Sequence, residues 1–90
     1  MHEVTLLVRH KAGLHARPAA LLVKTANKFK SDILVSKDDR EVNAKSILSI
    51  LTLEAKQGAV ITVRASGEDE KMAVKAIQKL IETNFGESLE

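Results

Sequence analysis

Two hydrophobic periods take turns along this chain, and their alternation is what most limits the folds open to it. Val4-Thr5-Leu6-Leu7-Val8-Arg9 is rich in β-branched and aliphatic residues and reads as a strand leading into a loop around Gly13. From Ala16 to Phe29 the apolar residues Ala19, Leu22, Val23, Ala26 and Phe29 return at helical spacing, with Lys24, Asn27 and Lys28 on the other side. Ile33, Val35 and Val42 then alternate with polar neighbours across Lys37-Asp38-Asp39-Arg40. That pattern predicts two short strands and a hairpin without its usual turn glycine, Asp39 taking the left-handed conformation instead. Ser46 precedes an apolar stretch, 47–53, that reads as a two-turn helix with a serine N-cap, and Gly58 closes the following turn. Val60-Ile61-Thr62-Val63-Arg64-Ala65 is the clearest strand. Glu68-Asp69-Glu70 places acids at the positive end of a last helix, whose stripe is Met72, Ala73, Ala76, Ile77, Leu80 and Ile81. Residues 84–90 are expected to fray.

The resulting order, β-α-β-β-α-β-α, predicts an α+β fold: a two-layer open-faced sandwich with a four-stranded antiparallel sheet and its helices on one face. Ninety residues supply one modest core, so a single domain over 1–90 is expected. No apolar run approaches the roughly 20 residues of a membrane span, so no membrane insertion is expected. The absence of cysteine removes disulfide frameworks, zinc ribbons, iron–sulfur centres and thiol catalysis. Met1-His2-Glu3-Val4 lacks the positive-then-apolar layout of a signal peptide, and the expected compartment is the cytoplasm.

The net charge of +2 hides an uneven distribution. Residues 1–30 carry six Lys/Arg against Glu3 alone, whereas residues 68–90 carry six Asp/Glu against Lys71, Lys75 and Lys79. The basic end suits either solvent or an acidic or phosphorylated partner. Direct nucleic-acid binding is not expected, because Phe29 and Phe85 are the only aromatics and two scattered rings make no stacking platform. Phosphate-binding glycine loops and the GxSxG elbow are absent. The histidines at 2, 10 and 15 lack the spacing of a helical metal pair, and neither a cofactor nor a metal is implied. Asp38-Asp39 falls in a turn, where aspartate is favoured without any catalytic role.

Gly13-Leu14-His15-Ala16-Arg17-Pro18-Ala19 is different. The first backbone N–H groups of a helix have no internal partners, and a Ser, Thr, Asp or Asn oxygen usually satisfies one of them. None of those residues is present here. His15 stands at or beside the N-cap, small alanines leave the approach open, and Pro18 is tolerated because the first turn needs no donor there. Free donors at a helix start bind anions, and the fixed fork of Arg17 matches phosphate geometry. The positive pole of the helix also disfavours an imidazolium, leaving one ring nitrogen of His15 available as a nucleophile.

In the stretch 47–53, five of seven residues are large aliphatics, more than one buried stripe needs. If Ile50 and Leu53 face the core, Ile47, Leu48 and Leu51 form either a compact exposed patch suited to a protein partner or a face buried by neighbouring elements. Ser46 is read as a cap, at a place where a phosphoserine would also be tolerated.

Gly13-Leu14-His15-Ala16-Arg17-Pro18-Ala19, Lys45-Ser46-Ile47-Leu48 and Ala65-Ser66-Gly67-Glu68-Asp69-Glu70 together resemble the HPr family. These are the histidine-containing phosphocarriers of the bacterial phosphoenolpyruvate-dependent sugar phosphotransferase system. The resemblance covers nearly the whole chain, and the first stretch is its most specific part. It implies a carrier, not an enzyme: His15 accepts a phosphoryl group from phosphorylated Enzyme I at Nδ1 and passes it to the A component of a sugar-specific permease (an enzyme II). It further implies that Arg17 assists the phosphorylated state, that the amides around Ala16 and Arg17 receive the phosphate oxygens, and that Ala16, Ala20 and Lys24 join Ile47, Leu48 and Leu51 in a docking surface. Ser46 matches the site that, in the Gram-positive branch, an HPr kinase/phosphorylase modifies in support of catabolite repression through a transcriptional regulator. Two departures stand out. Asp38-Asp39 replaces a glycine-containing hairpin, and Glu54 stands where many relatives have glycine; both are expected to lie away from His15. The main alternative is a purely regulatory binding module switched at Ser46. An anion-sensing module would need an enclosure that a small two-layer fold hardly offers.

Overall fold

Alternation decides which face of each strand is covered. In the computed structural model, which describes residues 1–86, Leu6, Ile33, Val35, Ile61, Val63 and Ala65 all point to one side and are buried, whereas Glu3, Thr5 and Leu7 are exposed on the other. The elements are β1 (His2–Leu7), α1 (Ala16–Ala26), β2 (Asp32–Lys37), β3 (Arg40–Asn43), α2 (Ile47–Leu51), β4 (Val60–Ser66) and α3 (Glu70–Glu82), followed by a 3-10 turn at Asn84–Gly86. The strands form one antiparallel sheet in the order β1-β4-β2-β3, with the three helices on one face, as the sequence predicts.

The register places Leu6 opposite Ile61, Val4 opposite Val63, and Val35 between Val63 and Val42. Both β1 and β2 run antiparallel to β4 and are therefore parallel to each other, which is why α1, not a hairpin, joins them. The same logic makes α2 part of the crossover from β3 to β4. Helix α1 buries Pro18, Ala19, Leu22 and Ala26; α3 buries Ala73, Val74, Ile77 and Ile81. On the open face Arg64 reaches Glu3 at 3.6 Å and Glu41 at 3.3 Å, exposed pairs worth about 0–1 kcal/mol each.

Several boundaries differ from the sequence reading, each for a local reason. Strand β1 starts at His2 and stops at Leu7, because its partner turns away at Gly58 (φ 93) and only Val8 still bonds there, to Ala59 and Gly58. Helix α1 ends three residues early: Asn27 caps it, its side chain also bonding the Val23 carbonyl, and Lys28 and Phe29 bond three residues back. Asp38 (φ 56), not Asp39, takes the left-handed conformation in the hairpin. Helix α2 ends at Leu51 because the Thr52 hydroxyl takes the Ser49 carbonyl and Glu54 turns left-handed (φ 50), although Leu53 is still buried.

Met72 is 67% exposed and Val74 occupies the stripe in its place. The cause lies at the start of α3. Asp69 is its N-cap, yet its carboxylate accepts bonds from Lys30 N, Ser31 N and Ser31 Oγ instead of from the helix, so the buried phase runs through 73, 74, 77 and 81. Asn84 and Phe85 do not fray but are buried, left-handed at φ 55 and 57, with Phe85 edge-on to the His10 ring at 6.0 Å. The rest of that expectation, residues 87–90, lies outside the described residues. Among the described residues no helix is long and apolar enough to cross a membrane.

Candidate functional site

The loop before α1 is held by backbone bonds. His10 accepts at Nδ1 from Ala12 N (3.0 Å) and at its carbonyl from Gly13 N (2.8 Å). Leu14, buried, donates its N–H to the Ala55 carbonyl at 2.7 Å. Gly13 is required on two counts: its φ is +65, and a Cβ there would collide with the Ala55 carbonyl oxygen and Lys56 Cα. The loop is thus strapped to the segment that follows α2, and the strap fixes where His15 emerges.

His15 is the N-cap of α1, extended at φ −88 and ψ −169, and its exposed side chain makes no capping bond. Its carbonyl accepts the first helical bond, from Ala19 N at 2.8 Å. Pro18 has no N–H to offer, so the first turn leaves the Ala16 and Arg17 amides, neither of which bonds a described residue. Arg17 is exposed, and its guanidinium likewise makes no hydrogen bond or ion pair with the described residues. No acid lies in the first turn of α1. An anion reaching this helix start meets two amides, a guanidinium and an imidazole with no partner among the described residues to displace.

Helix α2 supplies the apolar part. Ile50 and Leu53 are buried, while Ile47 is 39% and Leu48 74% exposed. The exposed-patch reading therefore describes the structure, with Leu51 half-buried at its inner edge. Leu51 borders two depressions: one of about 310 Å³ shared with Ala12, Leu14, His15, Glu54, Ala55 and Lys56, the other shared with Arg40, Leu48, Thr52 and Glu54. The apolar patch and the imidazole are consequently continuous. Ala16, Ala20 and Lys24 are all exposed along α1, which packs against α2. Ser46 is half-buried at the far end of α2, its Oγ accepting from Ser49 N at 3.3 Å.

One expectation fails here. Glu54 does not lie away from His15; it borders the same depression. Leu14 and Ala55 are the residues beside His15 and Glu54, and the backbone bond between them ties the segment that carries His15 to the one that carries Glu54. In the sequence, Leu14 stands out only as part of the stretch 13–19, and Ala55 and Lys56 not at all; the one signal at this spot is the missing glycine at 54. Among the described residues no group of His, Asp or Glu is arranged to hold a metal ion.

Comparison with known proteins finds relatives over nearly the whole chain. Residues 2–83 match the family described as PTS HPr component phosphorylation site. The phosphocarrier protein HPr of Xylella fastidiosa is 51% identical over 97% of this chain and 98% of its own length. The HPr-like protein Crh of Halalkalibacterium halodurans is 45% identical, covering 91% of this chain and 98% of its own. Among solved structures, HPr-C-His from Thermoanaerobacter tengcongensis superposes with a TM-score of 0.96 at 55% identity, over 98% of this chain and 99% of that one.

Proposed function

This chain belongs to the HPr family of phosphocarriers of the phosphotransferase system, and on that premise we propose that His15 is its phosphoryl acceptor and donor. The phosphoryl group arrives from phosphorylated Enzyme I and leaves for the A component of a sugar permease. A carrier is itself changed chemically and turns over no small substrate, so its task is positioning and charge stabilisation. The observation that carries this reading is the exposed imidazole at an uncapped helix start, beside two amides and a guanidinium without partners among the described residues. Arg17 and the Ala16 and Arg17 amides receive the phosphate oxygens; Ala16, Ala20, Lys24, Ile47, Leu48 and Leu51 dock the partners. The whole chain works as one unit, in the cytoplasm, where those partners act.

The test is phosphorylation by Enzyme I and phosphoenolpyruvate. The chain gains one acid-labile phosphate, and His15→Ala gains none. Labelling that persists in His15→Ala overturns the assignment.

A second reading is favoured by the similarity to Crh, a relative whose solved Bacillus subtilis counterpart is known as the catabolite repression HPr. Ser46 is then also a regulatory phosphorylation site for an HPr kinase/phosphorylase. Its phosphate lies at the opposite end of α2 from Leu51 and adds charge beside the exposed Ile47 and Leu48. Equal binding of unmodified and Ser46-modified chain to Enzyme I and to a catabolite-repression regulator excludes the switch.

A further inference from the structure

We propose that Glu54 tunes the phosphoryl-transfer potential of His15, its carboxylate opposing the phosphorylated state so that the group is passed on more readily. The inference rests on the reading of His15 as acceptor. Three observations place Glu54 there. It borders the same depression as His15, the Leu14 N–H to Ala55 carbonyl bond of 2.7 Å ties their immediate neighbours together, and Glu54 is exposed with no ion pair to a described residue. The Lys37 ammonium donates to the carbonyls of Leu53 and Glu54 at 3.2 and 3.4 Å and makes no ion pair with the carboxylate. Lys56, in the same depression, and Arg17, at the helix start, act in the opposite sense, and Arg40 borders the second depression with Glu54.

The chemistry is a simple displacement. The donor's P–N bond breaks as the bond from phosphorus to the imidazole nitrogen forms; on donation the new bond breaks in turn, and no electrons are gained or lost. Before transfer the ring carries no phosphate and its accepting nitrogen holds a lone pair. Afterwards it carries a phosphate with about two negative charges, at the depression that Glu54 also borders. Like charges bordering one depression, screened by water, shift an equilibrium by about two- to fivefold.

At φ 50 Glu54 sits where glycine is ordinarily easier, and it borders both the depression shared with His15 and the one shared with Arg40.

The test is the equilibrium between phosphorylated Enzyme I and this chain, read as the fraction of phosphohistidine by nuclear magnetic resonance. An equilibrium is indifferent to how well the partners dock, so only the stability of the phosphorylated state is read. Glu54→Gln keeps the size and backbone strain but removes the charge, and raises the phosphorylated ratio about two- to fivefold at low ionic strength. In 1 M KCl the advantage collapses. Glu54→Asp stays with the native chain. Glu54→Gly matches Glu54→Gln in the equilibrium while also unfolding at higher temperature, which separates charge from strain. A Glu54→Gln ratio equal to native, or a gain that survives 1 M KCl, overturns the inference. A native chain that takes no phosphate at His15 overturns the parent reading instead.

Discussion

Helices α1 and α2 begin in opposite ways. Ser46 opens α2 with a hydroxyl that accepts the Ser49 amide, spending a donor that the helix would otherwise leave free. His15 opens α1 with a side chain that accepts nothing, and the Ala16 and Arg17 amides stay without a partner among the described residues. The first arrangement stabilises a five-residue helix that could hardly stand alone; the second leaves two amides open on a helix of eleven residues that is anchored by four buried side chains. A helix that is secured by packing can leave its start chemically open. Helix α3 shows a third solution. Asp69 faces the Lys30–Ser31 turn, and Glu70 takes the Gly67 amide at 3.2 Å and the Met1 ammonium at 2.9 Å.

The sharpest way to break the open start is through its strap. Gly13→Ala meets both a positive φ and the backbone of residues 55–56, neither of which can yield without moving the loop. The expected loss is about 2–4 kcal/mol. Urea unfolding measures it, and the same variant should take up phosphate more slowly because His15 is displaced. A stability within about 0.5 kcal/mol of native would show that the strap does not hold the helix start.

The third start responds to acid. Hydrogen bonds from Ser31 Oγ, Lys30 N and Ser31 N hold the Asp69 carboxyl down, to about 2 from an ordinary 3.8, and the N-terminal ammonium with the Gly67 amide lowers that of Glu70. Folding therefore favours the ionised form of Asp69. The stability it adds is complete above the ordinary carboxylate value and is lost as pH falls from there toward about 2. Asp69→Asn flattens this acid limb in urea unfolding at a series of pH values, whereas Ser46→Ala, acting on a start with no ionisable group, leaves its shape unchanged.

At α2 the prediction is smaller. Ser46→Ala removes one capping bond of 3.3 Å and lowers stability by about 1 kcal/mol, measured by the same unfolding. His15→Ala removes no cap and stays within about 0.5 kcal/mol of native while losing all phosphate uptake. Similar losses in the two variants would mean that the His15 side chain supports the helix after all.

How much of this was legible before folding follows from how local each signal is. The bare start of α1 could be read because it is an absence within a few residues: no Ser, Thr, Asp or Asn where a cap belongs. The exposed patch on α2 followed from counting aliphatics against what one helix face can bury. The neighbourhood of Glu54 was illegible because a backbone bond between Leu14 and Ala55 creates it, and backbone bonds leave no side-chain pattern. Met72 and Val74 were exchanged because the phase of α3 is set by Asp69 reaching a distant turn. The burial of Phe85 depends on consecutive left-handed residues at 84, 85 and 86, which bring the ring to His10 and which no periodicity announces.

The finest contrast between the two helix starts is made by giving α1 the cap it lacks. His15→Ser offers a hydroxyl to the Arg17 amide alone, because Pro18 stands where Ser49 donates to Ser46 in α2 and has no N–H to give. It should raise stability by about 0.5 kcal/mol, a gain of a few degrees in Tm for a chain of this size. The same substitution ends phosphoryl acceptance and blunts the affinity of the helix start for inorganic phosphate, because the Arg17 amide is now spent on the hydroxyl. A serine that stabilises nothing would mean that the Arg17 amide is already satisfied by water as well as by any cap, and the comparison with α2 would lose its energetic side while keeping its geometric one.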